Sequence, residues 1–199
     1  MNTNQRPPAR RRFLTFAAAL PASLGLSTLR ANAQQAMVPT APDMEGPFYI
    51  SNMPVTATLN RWGKTGEAMR ITGQVLSAAD GNAPIAGAKL EIWQTDGRGV
   101  YHPEENGDYA DFNDADLDMR GTLMADATGR FDVLSVFPKE YWPRPPHIHY
   151  RISAVGFATL ITQHYLDTAP RERPHRTAQV IRDGSPAVFP APTIYLSPL

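Results

Sequence analysis

Nineteen prolines are spread through a chain of 199 residues, about twice the usual share of roughly 5%. Each one fixes φ and removes a backbone donor, which argues against long helices and against an all-helical bundle. What survives between the breakers is short alternation. Arg70-Ile71-Thr72-Gly73-Gln74-Val75 puts Ile71 and Val75 on one face and polar groups on the other. Lys89 to Ile92, Arg130 to Val133 and His147 to Ile152 repeat the same period of two, and Leu160 to Tyr165 is a strand by composition. Turn formers separate these runs: Asp80-Gly81-Asn82, Asp96-Gly97-Arg98-Gly99, Thr128-Gly129 and Gly156. Short strands with regular punctuation predict an all-β fold, an antiparallel β-sandwich with long loops and little helix. A short helix is expected over 176–183. Residues 34–67 have scattered prolines and no period, and read as an extended arm leading into a single domain that occupies 34–199. Apolar residues make up 42% of the chain, enough to bury a core.

The first 33 residues read as an address. Arg10-Arg11-Arg12-Phe13-Leu14 fits a twin-arginine pattern, a mild apolar stretch runs from Phe13 to Leu29, and Ala31-Asn32-Ala33 supplies the small residues of a cleavage site. Pro21 and Gly25 break the apolar stretch, so a signal peptide is favoured over a membrane anchor, and no stable membrane insertion is expected of the mature chain. The expected partner is the twin-arginine export machinery, and the expected location is periplasmic or secreted. Such export carries folded proteins, which raises the prior for a metal loaded in the cytoplasm.

The overall charge of zero conceals an asymmetry. Removing the five arginines of residues 1–33 leaves 14 bases against 19 acids in residues 34–199. A net acidic body is a poor match to phosphate backbones, so no nucleic-acid partner is expected. Seven acids and no base lie between His102 and Asp118. Calcium-loop spacing fails there for want of a glycine at the sixth position, and the segment reads as a solvated insertion near the mouth of a site. The chain has no cysteine, which removes thiolate metal sites, iron–sulfur clusters and a cysteine nucleophile.

The chemistry clusters in Pro143-Arg144-Pro145-Pro146-His147-Ile148-His149-Tyr150. Histidines at i and i+2 of a strand share one face, with Cα atoms about 6–7 Å apart, so both imidazoles can reach one ion. Ile148, Tyr150 and Ile152 take the other face. The remaining donors must come from residues other than cysteine. Tyr101, just after a tight turn, and Tyr141, six residues before His147, are candidates, because a phenolate is a hard anionic donor suited to ferric iron. Taken alone, each also reads as a half-buried packing tyrosine.

Taken together, these stretches resemble the intradiol ring-cleavage dioxygenases, the family of protocatechuate and catechol dioxygenases. The likeness runs in order through Glu45-Gly46-Pro47-Phe48-Tyr49, Pro84 to Gln94, Gly97 to Tyr101, Arg120 to Phe131, Tyr141 to His149 and Leu160 to Gln163, covering roughly residues 43–168. The resemblance implies a non-haem ferric site, Fe(III), held by Tyr101, Tyr141, His147 and His149. It implies that Arg144 stabilises negative charge on the substrate, that Gln163 supports that arginine, and that Tyr141 leaves the metal to take a substrate proton. It implies a small-molecule catechol-type substrate, dioxygen as co-substrate and a cis,cis-muconate-type dicarboxylate as product.

Two other readings compete. One is a β-sandwich that binds a ligand in the same pocket without turnover. The other is a zinc hydrolase built on His147 and His149 with a carboxylate, although no well-spaced third zinc ligand is evident. The chain lacks the long helical N-terminal region of the catechol dioxygenases, so a dimer built through such helices is not expected, and a homo-oligomer of another kind is left open. His102 reads as a loop residue, His164 as structural because alternation sends it opposite Gln163, and His175 as solvent-facing. Trp142 lines the pocket or covers the iron, and Glu45 to Tyr49 wall the pocket or pin the arm.

Overall fold

In the computed structural model, which describes residues 1–2, 36–80, 82–167 and 174–199, the alternating runs are strands. In chain order they are β1 (Ile50–Ser51), β2 (Ala68–Ser77), β3 (Lys89–Gln94), β4 (Gly107–Asp108), β5 (Arg120–Met124), β6 (Arg130–Val136), β7 (His147–Ser153), β8 (Leu160–Leu166), β9 (Thr177–Ala178), β10 (Ala187–Pro190) and β11 (Ile194–Leu196). Helical structure among the described residues is limited to three single turns of 3-10 helix, at Tyr109–Asp111, Asp114–Asp116 and Pro174–Arg176. The leader assigned to residues 1–33 lies outside the described residues apart from its first two.

Two sheets face each other. One has the order β5-β3-β7-β8-β9, and the other is built on β2, with β6 antiparallel to it and β10 and β11 running parallel along its first and second halves. The all-β sandwich is therefore present, with parallel members (β9, β10 and β11) among the antiparallel pairs. The core lies between the sheets. Met69, Ile71 and Val75 of β2 and Phe131 and Val133 of β6 meet Leu90 and Ile92 of β3 and Ile148, Tyr150 and Ile152 of β7, all buried. Gly73 interrupts the apolar face of β2 for a steric reason: a Cβ there would lie 2.4 Å from Cζ of Phe131.

The expected helix over 176–183 is not formed. Arg176 closes a 3-10 turn, Thr177–Ala178 pairs with β8, and Ile181 bridges to Val188. Backbone pairing to neighbouring strands satisfies this segment better than an isolated two-turn helix would. The arm is extended as expected, but it is tied down along its length. Met37 N–H donates to the Ala78 carbonyl, Thr40 N–H to Tyr195, Asp43 N–H to Ile161, Thr56 N–H to Thr122 and Leu59 N–H to Leu134. The acidic insertion is only partly solvated: Glu104, Glu105, Asp111 and Asp116 are exposed, whereas Asp118 is buried and accepts the N–H groups of Arg61, Trp62 and Met119.

Candidate metal centre

Strand β7 carries the centre of the site. Its register places His149 opposite Trp93 on β3 and Gln163 on β8, and His147 opposite Tyr165. Because Ile148, Tyr150 and Ile152 fill the core, His147 and His149 are turned to the opposite sheet face. That face is also closed, and the two histidines are 4% and 5% exposed. Part of the cover is the arm, where the Phe48 ring lies 4.6 Å from that of Tyr101 and Gly46 (φ +77°) passes so near His149 that a Cβ would sit 3.4 Å from its Cε1. The segment Glu45 to Tyr49 therefore walls the site.

Tyr101 arrives from a turn that Asp96 organises. One Asp96 carboxylate oxygen accepts the N–H groups of Arg98 and Val100, and the other lies 3.1 Å from His102 Nε2. Local side-chain bonding of this kind is what Asp supplies in turns. It delivers the Tyr101 hydroxyl to 3.2 Å from His147 Nε2 and 3.1 Å from His149 Nε2, and the two nitrogens lie 3.0 Å apart. His147 Nδ1 is 2.6 Å from the Pro145 carbonyl, so its proton belongs on Nδ1 and a lone pair on Nε2 points into the cluster. Burial above all, with the charges of Arg144 and Arg120, holds the His149 pKa well below its usual value, so its imidazole is neutral as well. One phenolic proton cannot satisfy two inward-facing imidazole nitrogens. A cation can satisfy all three atoms, and donors bound at about 2.1 Å at near right angles would lie about 3 Å apart, as these do. Burial pushes the Tyr101 phenol pKa upward against the pull of Arg144 and Arg120, so its ionisation requires a further positive charge in the cluster. The residues present fit a hard trivalent ion.

Tyr141 stands beside this cluster. Its ring meets Tyr101 edge-on at 5.8 Å and Phe48 at 5.7 Å, it is 37% exposed, and its hydroxyl is not among the three converging atoms. Trp142 neither lines the pocket nor covers the cluster, and projects into solvent at 87% exposure. Arg144, paired through its backbone with Tyr141, donates from Nη2 to Gln163 Oε1 and to the Tyr165 hydroxyl (2.9 Å). Its Nη1 lies 2.8 Å from the Met44 sulfur, and Gln163 Nε2 donates to the Met44 carbonyl. Arg144 and Gln163 are thus held together, one strand away from His149.

Several contributors were not visible in the sequence. Trp93 stacks on His149 at 4.8 Å and 11°, and so orients a ring whose Nδ1 has no hydrogen-bond partner. Arg120, 1% exposed, donates to the carbonyls of Phe48, His102 and Pro103 and so ties the arm to the segment that follows Tyr101. Nothing local marks either residue, because each acts through partners distant in sequence. His164 is fully buried on the core face against Tyr150, and His175 is exposed, both as expected. Among the described residues no Asp, Glu or Cys joins His147 and His149 in a three-member metal group, which leaves a zinc hydrolase without its third ligand.

Comparison with known proteins gives a consistent picture. The family profile described as Dioxygenase (Dioxygenase_C) matches residues 44–183. The chain is 34% identical over 139 residues to hydroxyquinol 1,2-dioxygenase of Rhizobium sp., covering 59% of this chain and 44% of that protein. It is 32% identical over 146 residues to catechol 1,2-dioxygenase of Pseudomonas sp., covering 62% and 46%. The chain spans about half the length of the curated relatives it matches. Among solved structures, the dioxygenase domain of a dioxygenase–carbohydrate-binding fusion from Streptomyces sp. SirexAA-E superposes with a TM-score of 0.64 at 25% identity, over 81% of this chain and 100% of that one. An intradiol ring-cleavage dioxygenase from Tetranychus urticae shares the fold, with a TM-score of 0.68 at 21% identity over 81% and 96%.

Proposed function

The chain belongs to the Dioxygenase_C family, and from that membership we propose that it is a non-haem ferric intradiol dioxygenase, cleaving a catechol-type ring with dioxygen to a cis,cis-muconate-type dicarboxylate. One observation carries the reading: Tyr101 Oη, His147 Nε2 and His149 Nε2 converge within 3.2 Å of one another, beside an arginine fixed by a glutamine. Tyr101, His147, His149 and Tyr141 would hold the iron. When bound, Fe(III) supplies a Lewis acid that draws electron density from a catecholate and orients it toward dioxygen.

The chain's own residues do the rest. The Pro145 carbonyl holds His147 in the tautomer that offers Nε2. Trp93 keeps the His149 ring in plane by stacking. Phe48 and the Tyr101 ring exclude water from the inner side of the pocket. Tyr141, half-exposed and without a hydrogen bond to the other donors, would accept a proton from a substrate hydroxyl on its Oη. Arg144 presents a fixed guanidinium to the negative charge that develops on the ring, a pre-placed stabilisation that needs no reorganisation. The bond between the two oxygen-bearing ring carbons breaks, and the two atoms of dioxygen end in the two carboxyl groups.

Purified protein should contain iron and be reddish-brown, Tyr101→Phe should lose that absorption, and an oxygen electrode should record one dioxygen consumed per catechol with a muconate formed. Iron and colour without oxygen uptake on a panel of substituted catechols would overturn the assignment in favour of a ligand-binding role. We also propose export through the twin-arginine route on the strength of Arg10-Arg11-Arg12-Phe13-Leu14. Arg10→Lys with Arg11→Lys should confine the protein to the cytoplasmic fraction, and unchanged release would refute that route.

A further inference from the structure

The partners of Arg144 extend beyond Gln163. Arg144 Nη2 donates to the Tyr165 hydroxyl at 2.9 Å. That hydroxyl has one proton and two acceptors in reach, Asp43 Oδ2 at 2.7 Å and Gln163 Oε1 at 3.0 Å. The carboxylate is both nearer and charged, so the proton goes to Asp43. The same carboxylate oxygen receives Arg176 Nη1 at 2.7 Å. The polarity is therefore continuous: Arg144 donates to Tyr165, Tyr165 donates to Asp43, and Arg176 closes the chain from the other side. Every link is shielded. Tyr165 is fully buried, and the Asp43 and Arg176 side chains are 13% and 14% exposed. Burial works against ionisation of Asp43, but the hydrogen bonds from Tyr165, the Met44 N–H and Arg176 outweigh it and bring the carboxyl below its ordinary pKa. Asp43 is itself anchored, its N–H donating to the Ile161 carbonyl of β8. The next arm residue, Met44, contributes its carbonyl to Gln163 and its sulfur to Arg144.

We propose that Asp43 on the N-terminal arm is a positioning residue for Arg144, acting through the Tyr165 hydroxyl and charge-balanced by Arg176, so that the active-site guanidinium is aimed only while the arm is docked. This rests on the dioxygenase reading and extends it: the machinery that orients the charge-stabilising arginine includes a segment outside the sheets. The arrangement also fixes the charge left for the substrate. Asp43 cancels one of two guanidinium charges, leaving Arg144 with about one net positive charge to offer an anionic ring.

The test uses Tyr165→Phe, which removes one oxygen and keeps the ring, and Asp43→Asn, which removes the charge and keeps the shape. Each should lower kcat/KM for catechol about tenfold, with most of the loss in kcat, because the guanidinium acts on charge that appears during reaction. Neither should shift the ferric–tyrosinate absorption, since neither replaces a proposed ligand and Tyr165→Phe keeps the ring that packs 6.1 Å from that of His147. In an Arg144→Ala background both should cost nothing further, the non-additivity expected of groups that act through one side chain. In iron-free protein, the side-chain 15N signal of Arg144 Nη2, assigned by its loss in Arg144→Ala, should exchange slowly in the wild type and quickly in both variants. Wild-type protein that consumes no oxygen with any catechol would sink the dioxygenase reading and this inference with it. Active wild type with both variants within twofold of it, or with equal losses in the Arg144→Ala background, would overturn the positioning role and leave the dioxygenase reading standing. Slow exchange of Arg144 Nη2 in both variants would do the same.

Discussion

Arg120 shows how much one side chain carries around this site. A buried guanidinium normally faces a carboxylate, but all of the hydrogen bonds from Arg120 end on carbonyls, those of Phe48, His102, Pro103 and Asp118. Burial pulls its pKa down to about 10, against the effects of Tyr101 and Asp118, so it is still charged at neutral pH. The planar fork is what allows three separate backbone segments to be held at once, and a lysine ammonium cannot reproduce it. Arg120→Lys should therefore cost about 2–3 kcal/mol in a urea melt, the scale of losing charge-assisted hydrogen bonds and leaving buried carbonyls unmet. Because two of those carbonyls follow Tyr101 directly, the same variant should bind iron more weakly than wild type in a chelator competition. A variant as stable as wild type, with unchanged iron affinity, would mean that the arm and the Tyr101 loop hold their places without it.

Strand β8 carries two unrelated burdens on its two faces. Gln163 and Tyr165 face the site and hold Arg144, while His164 faces the core against Tyr150 with neither ring nitrogen hydrogen-bonded. Burial, helped by the positive charge of Arg176, pulls the His164 pKa down to about 3. The unfolded chain binds that proton near pH 6.5 and the folded chain does not, so unfolding takes up a proton in between. The stability it contributes is complete above about pH 6.5 and is lost as pH falls toward about 3. Between pH 7 and pH 5 this one residue should cost about 2 kcal/mol, and His164→Leu should flatten the fall in urea melts by that amount. Equal slopes for the two proteins would show that the ring is protonated in the folded state. The alternation that placed His164 away from Gln163 was legible because β8, like β2, β3, β6 and β7, has an inward face of its own. Strand β5 was less so, since Arg120 to Leu123 are buried on both faces and show no period. β10 and β11 are only four and three residues long, and they exist because β2 offers them a parallel edge. The segment after Arg176 has a helix-compatible composition, but the edge of β8 captures it as a strand. At the site the split is similar. The i, i+2 histidines and the turn before Tyr101 are local patterns, whereas the roles of Asp43, Trp93, Arg120 and Tyr165 depend on tertiary neighbours that no local pattern encodes.

At the largest scale, a net acidic body surrounds a site that three arginines border. Residues 34–199 carry 14 bases against 19 acids, and exposed Glu104 and Glu105 follow shortly after Tyr101 in the chain. The cations Arg144, Arg120 and Arg176 are drawn inward around the site. Under the proposed function, a neutral catechol would cross this outer field without cost, whereas a catechol bearing its own carboxylate, such as protocatechuate, would be repelled on approach before it could profit from Arg144. The repulsion acts at long range through solvent, so it is screened as the Debye length shortens from about 30 Å at ~0.01 M salt to about 8 Å at ~0.15 M. The inner attraction to Arg144 would act over contact distance and be screened much less. At low salt, catechol should therefore show the higher kcat/KM, and its advantage over protocatechuate should shrink as salt is added. Protocatechuate reacting faster at low salt would mean that the inner cations govern approach as well as catalysis. A preference for catechol that does not change with salt would place the discrimination in the shape of the pocket, and the acidic exterior would then have no part in choosing the substrate.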